Sequence, residues 1–295
     1  MRKISYTISA ILVLSSTLAL LVWGLKFGID FTGGSLLEVD FTGTRPEQAI
    51  LVESLGAANI HGVSVQPTGE RGAIIRLPDL NEEKHQIALQ VIRQKGDFVE
   101  RRFDSIGPTI GAELRNKSLT ALVLVLLTIV LYISWAFRQV SRPMASWKYG
   151  IAAIIALFHD VLIPLGVFSV LGHFYGVEVD ILFVTAVLTV LGFSIHDTIV
   201  VFDRIRENLH KYGKEEFEKV VDRSVHQTIG RSINTSLTVL IVMTILFFFG
   251  GTATKFFSLA LLIGIFFGTY SSIFIASALL VSWHKYSLKS INKAR

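Results

Sequence analysis

Six runs along the chain are apolar for long enough to cross a bilayer as helices, which takes roughly 20 residues each. They cover Tyr6–Gly24, Leu119–Phe137, Tyr149–Leu171, Ile181–Val201, Ile233–Gly250 and Phe256–Trp283. Trp23, Trp135, Trp147 and Trp283 stand near their ends, where amphipathic rings sit at the headgroup level. The first run follows Met1, Arg2 and Lys3. It exceeds the ~7–15-residue apolar core of a secretory leader and lacks a clear small-residue cleavage site, so it reads as a retained first span.

Between spans one and two the pattern changes. Ser35–Phe41 alternates like a half-buried strand. Thr44 and Glu47 form a T-x-x-E capping box, with Pro46 in the first turn, opening a helix that stops before Gly56. "GVSVQP" and "GAIIRLP" read as two strands joined by the turn "TGERG". Asn81 is placed to cap a second helix, and Glu82 and Glu83 complement its positive end. The expected stripe is Ile87, Ala88, Val91 and Ile92, closed by Gly96, and "DFVERRFDSI" is the last strand. The order β-α-β-β-α-β predicts a ferredoxin-like domain with helices on one face of a small sheet. The fold class is therefore a polytopic α-helical membrane protein with a small α+β external domain. The expected division is 1–29 for the first span, 30–116 for the external domain, 117–284 for five further spans and 285–295 for a tail. Lys214–Gly230 has apolar residues at near-helical spacing and is expected at the inner membrane surface, leading into span five. Pro164 is expected to kink span three, and Gly264 and Gly268 form a G-x-x-x-G read as helix packing.

Composition agrees. Hydrophobic residues make up 51% of the 295 and charged ones only 17%, against about a quarter in soluble domains. The net charge of +5 is topological rather than a nucleic-acid signature. Arg138, Arg142 and Lys148 fall between spans two and three; Arg204, Arg206, Lys211, Lys214, Lys219, Arg223 and Arg231 between spans four and five; Lys285, Lys289, Lys293 and Arg295 in the tail. The opposite short loops hold His173, Glu178 and Asp180, then Lys255. The positive-inside rule then puts both termini in the cytoplasm and the α+β domain outside. With no cysteine there is no disulfide and no thiol nucleophile. No P-loop and no H-E-x-x-H is present, and the residues call for no cofactor and no metal.

Ionisable groups inside the spans are the informative set, because a charge at the bilayer centre costs roughly 2.5–3.5 kcal/mol on insertion scales. Asp160 stands in span three beside His159, and Asp197 in span four beside His196. On helical spacing Asp197 shares a face with Phe193, Ser194, Val201 and Arg204, while His196 points about 100° away. Asp203 lies near the inner boundary. Arg231, at the start of span five, is the natural counter-charge for Asp197 and, since it does not deprotonate, would gate the acid rather than carry the proton. Plainer readings stand beside these. Asp203, Arg204 and Arg206 suit a solvated helix end, Arg231 could snorkel, Asp160 could bond another helix, and His159 and His196 suit structural roles.

"FGIDFTGGSLLEV", "IGPTIGAEL", "FHDV", "LGFSIHDTIVVFDRIREN" and "RSINTS" closely resemble the SecF family, in order and over nearly the whole chain. The resemblance implies a six-helix half of the SecD–SecF complex, within the resistance–nodulation–division superfamily of proton-driven transporters. It implies use of the proton motive force to assist late export of unfolded preprotein on the outer side of SecYEG, after SecA and ATP have begun it. No enzymatic turnover is implied, and the location is the bacterial inner membrane. The external domain is expected to move relative to the membrane part. Asp197 matches the family's intramembrane carboxylate and Arg231 the basic residue implicated with it. Asp160 matches the H-D pair of span three, and His196 departs from a commoner Asn. Gly28–Gly34 reads only as a structural junction. The rival readings are a small-molecule or lipid exporter of the same superfamily, disfavoured by the small external domain, and a structural assembly subunit.

Overall fold

The computed structural model describes residues 2–136 and 145–293. Met1, Phe137, Arg138, Arg142 and Arg295, which entered the sequence reading, lie outside the described residues. The helices are α1 (Arg2–Trp23), α2 (Ile29–Thr32), α3 (Gln48–Ala57), α4 (Glu82–Arg93), α5 (Pro108–Ala136), α6 (Ser146–Tyr175), α7 (Ile181–Tyr212), α8 (Phe217–Phe249), α9 (Thr252–Ser271) and α10 (Ser277–Lys293). A π-helical turn, Ser272–Ala276, joins the last two. Among the described residues, six helical segments are long and apolar enough to cross a membrane, including α9 to α10 taken as one rod. The chain divides into two compact units, one of Met1–Leu25, Ala121–Val177 and Leu182–Arg295, the other of Lys26–Thr120 and Glu178–Ile181.

In the second unit, β1 (Gly34–Phe41), β2 (Ser64–Thr68), β3 (Gly72–Leu77) and β4 (Phe98–Ile106) form an antiparallel sheet in the order β2-β3-β1-β4. This is the ferredoxin-like arrangement the element order predicted. Leu37, Val39, Ile75 and Ala73 point from the strands onto Leu51, Leu55, Ala88 and Ile92 of α3 and α4, and all are fully buried. Asn81 caps α4 as expected, accepting the Lys84 N–H at 3.0 Å. Two local expectations are corrected. The Thr44–Glu47 capping box does not form: α3 starts at Gln48, with Glu47 itself at the cap and making no side-chain cap bond. Arg45 holds the preceding segment to the β2–β3 turn through the carbonyls of Gly69 and Gly72, at 3.1 and 3.0 Å. The stripe of α4 is also rotated. His85, Ala88, Leu89 and Ile92 are buried and Ile87 is exposed, because His85 stacks on Phe103 of β4 at 3.6 Å.

In the first unit, α6, α7 and the α9–α10 rod carry the core. Alanines 152, 153 and 156 of α6 bring it close to its neighbours, and Tyr149 meets Phe202 of α7 edge-on at 5.4 Å. Pro164 lies within α6, which continues as one helix across it. The 214–230 segment leads into span five as expected: from Phe217 it is the first half of α8, and Phe217, Val220 and Val221 are buried. Arg204 Nε donates to Gln227 Oε1 at 2.7 Å and Asn208 Nδ2 to Ser224 Oγ at 2.9 Å, which fixes this end of α8 to α7.

Candidate functional site

Glycine spacing decides where α9 lies. A Cβ on Gly264 would stand 2.2 Å from Val190 Cγ2 of α7, and one on Gly268 would stand 3.1 Å from Ser194 Cβ. The backbone of α9 therefore rests on α7, which supplies the partner helix that the G-x-x-x-G packing motif did not itself name. That contact brings the small polar residues after Gly268 against the small polar residues of α7 and α8.

Asp160 of α6 is fully buried. Its Oδ2 accepts from Ser194 Oγ at 2.5 Å and Ser271 Oγ at 2.7 Å, and its Oδ1 lies 2.9 Å from His159 Nδ1. His159 Nε2 has no hydrogen-bond partner among the described residues. Ser272, the first residue of the π turn, lies 3.0 Å from Thr198 Oγ1 and 3.3 Å from the Ser194 carbonyl. A π turn inserts an extra residue into a helix and recurs at functional sites.

Asp197 is 3% exposed. The hydroxyls of Thr269, Ser232 and Ser236 surround its carboxyl. Ser236 and Thr269 are bonded to one another at 2.5 Å. Asp197 Oδ2 and Ser232 Oγ are left without a well-aligned partner among the described residues. One oxygen of Asp197 is thus less well satisfied among the described residues than the oxygens of Asp160, which Ser194, Ser271 and His159 hold.

The expected site is thus only partly assembled. Asp160 and Asp197 enter one hydroxyl-lined interior shared by α6, α7, α8 and α9. His196 is exposed on the outer side of α7, as its helical offset predicted. Arg231 is exposed and makes no ion pair among the described residues, so the expected Asp197–Arg231 pair is absent from this arrangement; Ser232 and Ser236 face the acid instead. Asp203 pairs with Arg206 Nη2 at 2.9 Å in the C-terminal part of α7. The sequence reading missed Ser232, Ser236, Thr269, Ser271 and Ser272. Their signal was spacing: Ser232 and Ser236 are one turn apart, and Ser271 and Ser272 extend the Gly264–Gly268 face by a further turn.

One face of α7 exposes Thr185, Thr189, Gly192 and His196, and α8 exposes Arg231, Asn234, Thr235 and Thr238. The threonines at 189, 235 and 238 bond carbonyls of their own helices.

The family described as protein export membrane protein SecD/SecF, C-terminal, matches residues 87–286, and the SecD/SecF GG motif matches residues 19–44. The chain is 48% identical over 300 residues to protein translocase subunit SecF of Thermobaculum terrenum, covering 96% of this chain and 92% of that protein. It is 38% identical to the SecF of Haemophilus influenzae, covering 94% and 83%. The crystal structure of SecDF, a translocon-associated membrane protein from Thermus thermophilus, superposes with a TM-score of 0.83 at 34% identity, over 95% of this chain. A second SecDF structure, in a super-membrane-facing form, gives 0.70 at 32% identity. The chain spans 38% and 40% of the length of those two SecDF chains.

Proposed function

The chain belongs to the SecF family of protein translocase subunits, and from that membership we propose that it couples the proton motive force to late steps of polypeptide export through SecYEG. Asp197 is the proton carrier. The observation that carries this reading is a carboxylate 3% exposed, packed between three helices and lined by hydroxyls, with one oxygen that has no well-aligned donor among the described residues. Its charged and neutral forms differ greatly in what they require of their neighbours, so protonation biases how α7, α8 and α9 pack. The electrical gradient supplies about 2.3 kcal/mol per charge per 100 mV, a bias of roughly fiftyfold.

Asp160 is the second acid of the relay, held by its donors in the same interior. Asp203 and His196 add titratable groups along α7, and Arg231 is a fixed charge turned toward a partner. Polar groups in the apolar layer face protein rather than lipid. The α7–α8 face bearing His196, Arg231 and Asn234 is therefore the surface that SecD covers. The remaining contacts are with SecYEG, with unfolded preprotein on the outer side, and indirectly with SecA. Both termini lie in the cytoplasm and the membrane is the bacterial inner membrane. The subunit performs no catalytic turnover of its own.

The test uses inverted membrane vesicles holding SecYEG, SecD and this chain. SecA and ATP drive a precursor part-way, ATP is removed, and a proton gradient is imposed. Wild type is expected to advance the precursor and Asp197→Asn to leave it stalled at equal complex levels. Equal advance in both makes Asp197 structural and ends the proton-carrier reading.

A further inference from the structure

Residues 26–30 and 178–181, far apart in sequence, form a clasp in the external unit. Phe27 and Val179 pair in parallel. The Gly28 N–H donates to the Val179 carbonyl at 2.9 Å, and the Val179 N–H donates to the Lys26 carbonyl at 2.7 Å. Glu178 takes Arg76 Nε of β3 at 2.6 Å and Lys26 Nζ at 3.6 Å. The Ile181 N–H donates to Asp30 Oδ2 at 2.9 Å.

That last bond joins two elements with different tasks. Ile181 opens α7, whose first-turn N–H groups have no helical acceptor and whose N-terminus carries a positive dipole. Asp180 is the acid next to it in sequence; Asp30 brings a second one from 151 residues away. Asp30 lies in α2, which ends at Gly33 (φ 75°) and passes through Gly34 (φ 126°) into β1. A side chain on Gly33 would meet Pro108 Cα at 2.7 Å and one on Gly34 the Leu77 carbonyl at 2.9 Å, so this turn has little freedom to give. β1 is paired on both sides, by β3 and by β4. The clasp is thus fastened to the sheet twice, through the chain into β1 and through Arg76 of β3.

At its other end α7 continues without a break from Ile181 to Asp197, about 24 Å at 1.5 Å per residue. A continuous helix moves as a body, so a shift at Asp197 arrives at Ile181. We propose that the 26–30/178–181 clasp is the link through which displacement of α7 reaches the external sheet, with Asp30 as its positioning residue. This rests on the proton-carrier reading of Asp197 and gives the Gly28–Gly34 motif a task beyond that of a junction.

The test compares wild type, Asp30→Ala, Asp30→Asn and Asp197→Asn in the complete complex with SecD and SecYEG. The first readout is gradient-driven release of the stalled precursor. Asp30→Ala is expected to slow it about fivefold or more, the scale of a lost helix cap, while Asp30→Asn, which keeps an acceptor oxygen, retains most of it. The second readout is hydrogen exchange in Gly34–Phe41. Asp197→Asn is expected to change it in the wild-type background and not in the Asp30→Ala background. Normal release by Asp30→Ala, a loss in Asp30→Asn equal to that in Asp30→Ala, or an exchange change that survives Asp30→Ala overturns the link. If Asp30→Ala does not accumulate, Glu178→Ala, which removes the acceptor of Arg76 Nε, carries the same expectation and the same refutation. Asp197→Asn separates the two ideas. Normal release by it removes the proton-carrier reading and the link together; a stalled Asp197→Asn beside a normal Asp30→Ala removes the link alone.

Discussion

Asp160 and Asp197 are both buried acids, yet the protein surrounds them differently. Asp160 has Ser194, Ser271 and His159 at bonding distance, whereas one oxygen of Asp197 has no aligned donor among the described residues. Removing one donor from a buried acid leaves it under-satisfied, at a cost of about 1–3 kcal/mol. Ser194→Ala and Ser271→Ala are therefore expected to lower the thermal midpoint of the detergent-solubilised complex by several degrees. Thr120→Ala is the control, because Thr120 is exposed on α5, not on the α7–α8 face, and bonds the Asn116 carbonyl of its own helix. A midpoint unchanged in both serine variants means that Asp160 does not depend on them. The same chemistry explains what the sequence could not reveal. Asp160 and Asp197 stood out because an acid in an apolar run is costly wherever it points. A serine or threonine in a helix can bond the carbonyl one turn back, as Thr189, Thr244 and Ser258 do, so its presence does not say whether it reaches a neighbour. The side-chain direction of Arg231 was hidden for a related reason. Its place at the head of span five was readable, but its direction around α8 was set by Ser232 and Ser236 facing inward.

The elements were legible in proportion to how local their causes are. The six spans follow from length and hydropathy, and the β-α-β-β-α-β order from alternation and turns. The α3 start was missed because Arg45 is held by a hairpin turn more than 20 residues on. Asp30 at the head of α7 was invisible because its acceptor role spans 151 residues. Close packing of α9 on a neighbour, by contrast, was readable from Gly264 and Gly268, although which helix it meets was not. Even a methyl on Gly264 would overlap Val190, and overpacking of this kind costs about 1–3 kcal/mol. Gly264→Ala is expected to destabilise the complex and to impair gradient-driven release, since it pushes Thr269 away from Ser236 and Asp197. Val190→Ala, which removes the two methyls closest to the new one, is expected to restore part of the loss when combined with it. Additive damage in the double variant shows that the two helices do not meet at this pair.

At the scale of the molecule, the direction of the proton path depends on orientation. Span-adjacent basic residues cluster on one set of loops, with seven between spans four and five and Lys255 alone between five and six. On the proposed orientation the Asp203 end of α7 faces the cytoplasm and Ile181, with the clasp, the outside. On the proposed function, protons running down the gradient then enter from the Ile181 side and leave past Asp203. The chain has no cysteine, so single cysteines report orientation without a background mutation. Glu70 is exposed in the β2–β3 turn and Lys214 is exposed between α7 and α8. In spheroplasts a membrane-impermeant maleimide is expected to label Glu70→Cys directly and Lys214→Cys only after permeabilisation; in inverted vesicles the order reverses. Labelling of both from one side removes the six-span topology. A full exchange of the two patterns keeps the topology but reverses the path. The external sheet would then face the cytoplasm, and the clasp could not act on a polypeptide emerging at the outer surface.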